Sequence, residues 1–441
     1  MKKMSNVNVL TAIENIGGLK KTAKMLGISK ATLGDWFKVA KKDKSKVSNY
    51  VITCAQNASI VNGDFLKALH SYCHHNNAKL IVLPIKYGAM TETTGWYADI
   101  IEPFLSPDNI VLNSNLNIMG RYKSTPTAVN PLSGTKTITE SASGIFPHPQ
   151  IALVSVPTPH NKLPKILTTT GSITEPNYKD TKTGQNGTFN HSYGAVTVTI
   201  KDDSIFHMRH LLASGDGSFY DLDKLYLPNG KVKENQEILA IVTGDEHVDW
   251  RDEDVVKATY TGKKSIVNRL KPKKIFRHDV LDFYSRNHHH YGNVLTNYAK
   301  HHFTIDDKPI NDIVSELERC LKFVNDTTPK YAKSYIVQSN HNDALTRWLD
   351  TCDHREDPQN AKLYHELWLA RLDNVGMSGS GVASVNPFAH WSKGKTDAIF
   401  LERDKSFRVA DIEMSFHGDQ GINGARGSAV SFAQIGTKSI I

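Results

Sequence analysis

Two hydrophobic periods alternate along the chain. Near the start, apolar residues recur at steps of three and four: Leu19, Ala23 and Leu26, then Leu33, Trp36, Phe37 and Ala40. That spacing puts each set on one helical face. It predicts short helices across residues 8–40, with Gly27 ending the second and Ser29 capping the third. A polar linker, KKDKSKVSN (41–49), follows. The pattern then changes. YVITCAQNASI (50–60), KLIVLPIKY (79–87), IALVSVP (151–157) and AVTVTIK (195–201) read as strands, and DFLKALHSYCHHNNA (64–78) as a helix. Strand, helix and strand in succession predict an α/β accessory or scaffold domain over 46–235. DIIEPFL and DNIVLNSNLNIM continue it. Residues 158–196, rich in Thr, Asn, Gly, Lys and Pro, are expected as exposed loops or hairpins. No glycine-rich phosphate loop follows any of these strands, which argues against a Walker or dinucleotide site. His74, His75 and His148 read as surface or structural residues.

From residue 239 onward, apolar strands end in potential metal ligands. LAIVT runs into Gly244, Asp245, Glu246 and His247. KKIF is followed by Asp279 and Asp282. SYIV ends in Asn340, His341 and Asp343, and Asp343 is placed to cap the helix DALTRWLD. The strand-like run FRVADIEMSF ends at His417, Gly418 and Asp419. Asp and His two residues apart past a strand point the same way, and a carboxylate with an imidazole suits Mn²⁺, Fe²⁺ or Zn²⁺. Asp249, Asp252, Glu253 and Asp254 form an acidic run of the kind that is usually solvated. Arg277, Arg286 and Arg347 are candidate phosphate contacts or else ordinary surface arginines.

Composition refines this picture. The 441 residues suggest two or three domains. At 39% hydrophobic and 22% charged the chain reads as globular, and no apolar run is long enough to span a membrane. The N-terminus lacks the apolar stretch of a secretion signal. Four cysteines without a CxxC pair make no disulfide framework and fit a reducing compartment. The net charge of +8 is concentrated: residues 1–50 hold 11 lysines against Glu14, Asp35 and Asp43, so 11 − 3 = +8, and the rest balances to about zero. A local basic region points to nucleic acid more than a diffuse excess does. The helix, LGIS turn and helix of residues 19–40 resemble the helix-turn-helix modules of phage and bacterial regulators. On that likeness residues 1–45 form a DNA-binding module whose third helix presents Lys30, Thr32, Asp35 and Lys38, with Lys30, Thr32 and Lys38 as substrate contacts. The other reading is a helical oligomerisation or docking module.

The ordered set Asp-x-His, Asp, Asn-His and His resembles the calcineurin-like metallophosphoesterase superfamily, whose motifs run DxH, GDxxD, GNH[DE], a lone His and GHxH. The resemblance covers residues 236–441 and implies a four-layer αββα sandwich. His278 stands where the second motif has glycine, and Ser339 where the third does. Carried over, Asp245 and His247 bind the first metal, Asp279 bridges, Asn340 is a ligand and His417 binds the second metal. His341 becomes the general acid, with Asp343 orienting or capping. Two divalent ions are implied, Mn²⁺ first, with Mg²⁺, Fe²⁺ or Zn²⁺ as alternatives, for hydroxide attack on phosphorus. One of His288, His289 and His290 is expected to approach the phosphate, His288 first. His301 and His302 are expected to be structural or exposed. Arg426, in the glycine-rich segment 418–429, is a further substrate contact. No GHxH is present, so the natural protein is expected to continue past Ile441 into it. A chain without it would be a degenerate, weakly active member.

The basic helical N-terminus, the long anterior domain, SNHNDALTRWL and FHGDQGINGARGS are together similar to the early host-DNA-degrading proteins of T5-like bacteriophages. This implies a DNA nuclease acting in the host cytoplasm early in infection. Its expected partners are DNA, a second copy of the chain in a homo-oligomer, and a phage or host protein, with no membrane. The alternatives are a phosphomonoesterase or nucleotidase on the same fold, and a DNA-binding scaffold or regulator with an inactive hydrolase domain.

Overall fold

A computed structural model describes residues 3–43, 47–159, 162–290, 292–378, 381–403, 405–419 and 439–440. The chain divides into two compact units, Met1–Gln236 and Glu237–Ile441.

The first unit opens with helices Asn6–Ile16, Leu19–Met25 and Lys30–Ala40. Ser5 and Ser29 cap the first and third, their hydroxyls accepting from the amides of Asn8 and Thr32. The periodic residues Ala23, Leu26, Leu33 and Ala40 are buried, with Trp36 and Phe37 packed beside them. Lys30 and Lys38 are exposed, and Lys38 lies 3.7 Å from Asp35. Thr32 is half-buried, its hydroxyl on that of Ser29. The first helix shares a core with the sheet that follows. Asn8 accepts a hydrogen bond from the Leu80 amide at 2.7 Å, and the Ser5 hydroxyl donates to the Ala78 carbonyl at 2.9 Å. These side chains cover the free edge of strand Ala78–Ile85. That edge tolerates Pro84, which has no amide to give a ladder.

The sheet orders Ala78–Ile85, Asn49–Gln56, Gly194–Ile200 and Phe206–Leu212, the first pair parallel and the others antiparallel. A second, five-stranded mixed sheet uses strands between residues 109 and 169. Here the expectation of exposed loops over 158–196 is corrected. Lys165–Thr169 is a strand, Lys182–Asn190 a helix, and Thr168, Thr169, Thr170, Ser172 and Thr174 are fully buried. Polar composition misled because these hydroxyls bond locally. Thr169 donates to the Gln150 carbonyl at 2.7 Å, and Thr174 accepts from the Gln56 amide at 3.0 Å.

The second unit is built on a parallel sheet ordered Ala240–Asp245, Lys274–His278, Lys333–Ile336 and Ile399–Phe400. Alternation sorts its residues. Ile241, Ile275 and Ile336 pack with helices Ile313–Asp326, Asp343–Thr351 and Ala361–Asp373. Val242, Phe276 and Tyr335 face a second cluster with Phe407, Val409, Ile412 and Met414. FRVADIEMSF is not one strand. It is a hairpin, Arg408–Val409 paired with Ile412–Glu413, with Ala410 and Asp411 at φ 49° and 66°. Positive φ at both turn residues matches the twist of a two-residue hairpin. Helices, parallel sheet and hairpin therefore make three successive layers among the described residues. None of the described helices is long and apolar enough to cross a membrane.

Candidate metal centre

A parallel sheet brings the carboxyl ends of its strands to one edge, where the following loops can meet. Here two of those loops run on as a backbone ladder. The amides of Glu246, His247 and Val248 donate to the carbonyls of His278, Asp279 and Val280 at 3.0, 2.9 and 3.3 Å. Within it His247 and Asp279 hold φ of 38° and 43°. Such left-handed backbone is costly for residues with a Cβ, and it persists where surrounding structure over-determines it.

These loops, with those after the third strand and the hairpin, assemble two triads that share Asp279: His247, Asp279 and His341, and Asp245, Asp279 and His417. Within each, the potential ligand atoms lie within 4.8 Å of one another. Asp279 is 3% exposed. Its Oδ2 lies 3.3 Å from His417 Nε2 and 3.9 Å from His247 Nε2. Its Oδ1 is buried and has no hydrogen-bond partner among the described residues. A buried carboxylate oxygen left unpaired is destabilising, and a cation between the triads would satisfy it. The imidazole and carboxylate donors fit divalent transition ions. Two close triads of this kind are consistent with a two-metal hydrolase site.

Asp282 supports the first triad from behind. It lies 2.9 Å from His247 Nδ1 and 3.4 Å from His341 Nδ1. That bond directs Nε2 of His247 toward Asp279, as outer carboxylates do for metal-binding histidines. Without an ion, the hydrogen bond that its ring donates to Asp282 raises His341 to about 9, against the opposing effect of burial. Burial would raise Asp279, yet His417 draws it below the usual carboxylate range. Burial and the neighbouring His417 both lower His278, whose Nδ1 is 3.0 Å from Nδ1 of His417.

Five residues singled out in the sequence thus converge: Asp245, His247, Asp279, His341 and His417. Their grouping differs from the expected one. Asp245 and His247, expected on one ion, fall in different triads. His341, expected as general acid, has a ring nitrogen among the potential ligand atoms of the first triad. Asn340 is exposed on the turn before helix Asp343–Thr351. His288 lies on a short helical turn with its Nε2 2.6 Å from Arg347 Nη1. His301 is bonded to Asn311. Lys30, Thr32 and Lys38 belong to the first unit, and Arg426 lies outside the described residues.

Other charged residues carry structural roles that the sequence hid. Arg277 is no surface arginine. It is fully buried, with Nη1 3.1 Å from both oxygens of Glu246 and its guanidinium 4.7 Å over the Tyr260 ring. Arg286 forms a two-pronged pair with Asp357. The acidic run is not simply solvated, since Asp249 pairs with Arg319 and Asp252 caps helix Glu253–Val256. Asp343 is not the cap. Asn342 occupies that position, and Asp343 begins the helix and pairs with Arg403 at 2.7 Å. Asn342 ties two loops together, accepting from the Leu281 amide at 3.3 Å and donating to the Val337 carbonyl at 3.1 Å. The spacing of Asp279 and Asp282 was the one sequence signal for this supporting layer. A cleft of about 920 Å³ opens beside Asp245, His247 and Asp282, walled by Trp250, Val255 and Tyr260.

No protein-family model matches the chain, and no solved structure matches it. It is similar to Protein A1 of Escherichia phage T5, with 31% identity over 426 residues, 93% of this chain and 75% of that protein. The aligned region spans both compact units, the one that holds the triads included. At that identity and coverage, the chain belongs to the family of phage T5 Protein A1.

Proposed function

We propose that the second unit is a two-metal phosphodiester hydrolase of the calcineurin-like superfamily, on an αββα sandwich, with DNA as its substrate. The observation that carries this reading is the pair of triads sharing the buried Asp279 at the carboxyl edge of a parallel sheet. Two divalent ions there, Mn²⁺ first, would supply Lewis acidity toward the phosphoryl oxygens and activate water near neutral pH.

The protein's part is positioning. Asp279 would be shared by both ions. Asp245 and His417 would complete one set, and His247 and His341 the other. Asp282 holds the ring orientation of His247 and faces His341. His288 and Arg347 lie next to each other and would meet substrate phosphate. The concentration of charge in residues 1–50 and the exposed Lys30 and Lys38 support a polymeric anion as substrate. Action on host DNA in the host cytoplasm is part of this proposal and rests on the sequence resemblance to the host-DNA-degrading proteins of T5-like phages.

The test offers linear DNA, circular DNA and deoxynucleoside monophosphates to the Mn²⁺-loaded chain beside Asp245→Ala. Metal-dependent loss of DNA, absent in the variant, is expected. Hydrolysis of monophosphates alone would move the substrate to nucleotides. Inert wild-type protein that still binds DNA would make the second unit a scaffold.

A further inference from the structure

A cavity of about 340 Å³ in the second unit is lined among others by Ser285, His288, Lys300, Asn311, Arg347 and Trp348. Among the described residues three buried polar atoms of this lining have no hydrogen-bond partner: Ser285 Oγ, Asn311 Oδ1 and Trp348 Nε1. Lys300 is 4% exposed, and its ammonium lies 4.9 Å over the Tyr284 ring, with no carboxylate in ion-pair distance among the described residues. Burial, reinforced by the charge of Arg286, lowers it to about 8. Asn311 is 3% exposed. Its Nδ2 meets His301 Nδ1 at 2.7 Å, while Oδ1 has no partner among the described residues. Buried donors and acceptors are rarely left unpaired, and a cavity with convergent polar groups is the usual form of a ligand site.

We propose that this cavity is a nucleobase pocket, holding the base next to the scissile phosphate through Lys300 and Asn311. The proposal rests on the reading of the metal centre as a nucleic-acid hydrolase. Each base carries an acceptor beside an N–H donor on its pairing edge, matching an ammonium beside an amide oxygen. A phosphate offers acceptors alone and would leave Asn311 Oδ1 unpaired. Ala344, Pro358 and the Trp348 indole add apolar surface, the indole also bringing the unpaired Nε1–H donor. The position fits as well. Ser285 and His288 follow closely on Asp282, and Arg347 lies on the helix after His341. An enclosed pocket takes a base only when it is out of the duplex. The site therefore favours single strands and frayed ends, with little preference among the four bases.

The experiment measures binding of thymidine and deoxyguanosine, which carry no phosphate, to the metal-free full chain by saturation-transfer NMR. Inorganic phosphate and deoxyribose serve as competitors. Wild type binds both nucleosides. Asn311→Leu and Lys300→Met, each checked for fold by circular dichroism, bind at least tenfold more weakly. Either variant suffices if the other misfolds. No nucleoside binding, binding unaltered in the variants, or displacement by phosphate or deoxyribose overturns the pocket. Hydrolysis of bis(4-nitrophenyl) phosphate with Mn²⁺, a diester without a base, reports on the hydrolase reading separately. It should run at the same rate in wild type and both variants, and its absence from wild type would sink that reading.

Discussion

Replacing Arg277 by methionine removes the cation from a fully buried ion pair and leaves Glu246 behind. Glu246 has a side chain only 6% exposed, and it keeps hydrogen bonds from Thr243 and Tyr260 that do not neutralise it. Arg277 also loses its bonds to Ser334 at 3.0 Å and Thr327 at 2.9 Å. An uncompensated charge in such a place costs about 3–5 kcal/mol. Arg277→Met with Glu246→Leu should recover at least about 2 kcal/mol of that loss, because the stranded charge is gone. Glu246 lies between Asp245 and His247, so the damage reaches the triads, and Mn²⁺ affinity should fall by about 10–100-fold, as it does when outer partners of a metal site are lost. Urea denaturation followed by tryptophan fluorescence measures the stability, and calorimetric titration the metal. A loss under about 1 kcal/mol for Arg277→Met, or a double variant no more stable than the single, would refute the reasoning.

Further expectations concern the shared ligand, its support and one buried acid. Asp279→Asn should abolish binding at both triads, whereas Asp245→Asn should leave one ion bound. The stoichiometry read by titration separates these, and two ions on Asp279→Asn would exclude a shared ligand. In the metal-free protein Asp282→Asn should lower the His341 titration midpoint from about 9 toward 6.5, as followed by NMR. With its folded value raised, the His341–Asp282 pair adds stability that is full below pH 6.5 and is lost as pH rises through about 9. Glu316 is buried, accepts from the amides of Tyr284 and Ser285, and is pushed by burial up to about 7. Between pH 4.5 and 7 the folded chain keeps a proton that the unfolded chain has released. Stability should therefore fall across that window by about 3 kcal/mol at most. Glu316→Gln should flatten the dependence in melting curves taken at successive pH values, and an unchanged slope would argue against it.

Much of the centre was legible because parallel strands announce themselves as apolar runs, and their ligands follow at once. Asp245, His247, Asp279 and His341 stood out this way, while His417 follows a hairpin that only read as a strand. How they group was not legible, since it depends on how the loops turn, and left-handed backbone at His247 and Asp279 leaves no mark in composition. Arg277 was misread because an arginine's burial depends on a partner 31 residues away, Glu246. The threonines of 168–174 were misread because Thr is equally at home in a loop and in a buried strand whose hydroxyls bond the backbone. The Arg408–Val409 and Ile412–Glu413 hairpin hid inside an apolar run because its turn, Ala410 and Asp411, lacks the glycine or asparagine that usually signals one.

The ladder between residues 246–248 and 278–280 has a bearing on ion choice. It welds two ligand-bearing loops into one piece of backbone, so Asp245, His247 and Asp279 form a fixed jaw. His341 is tied to the same jaw through Asn342, whereas His417 arrives separately, after the hairpin, and is the adjustable part. Ions of different radius would be accommodated by movement around residues 415–419. Selection for a new metal, in nature or in a library, should accumulate its changes there and leave the jaw untouched.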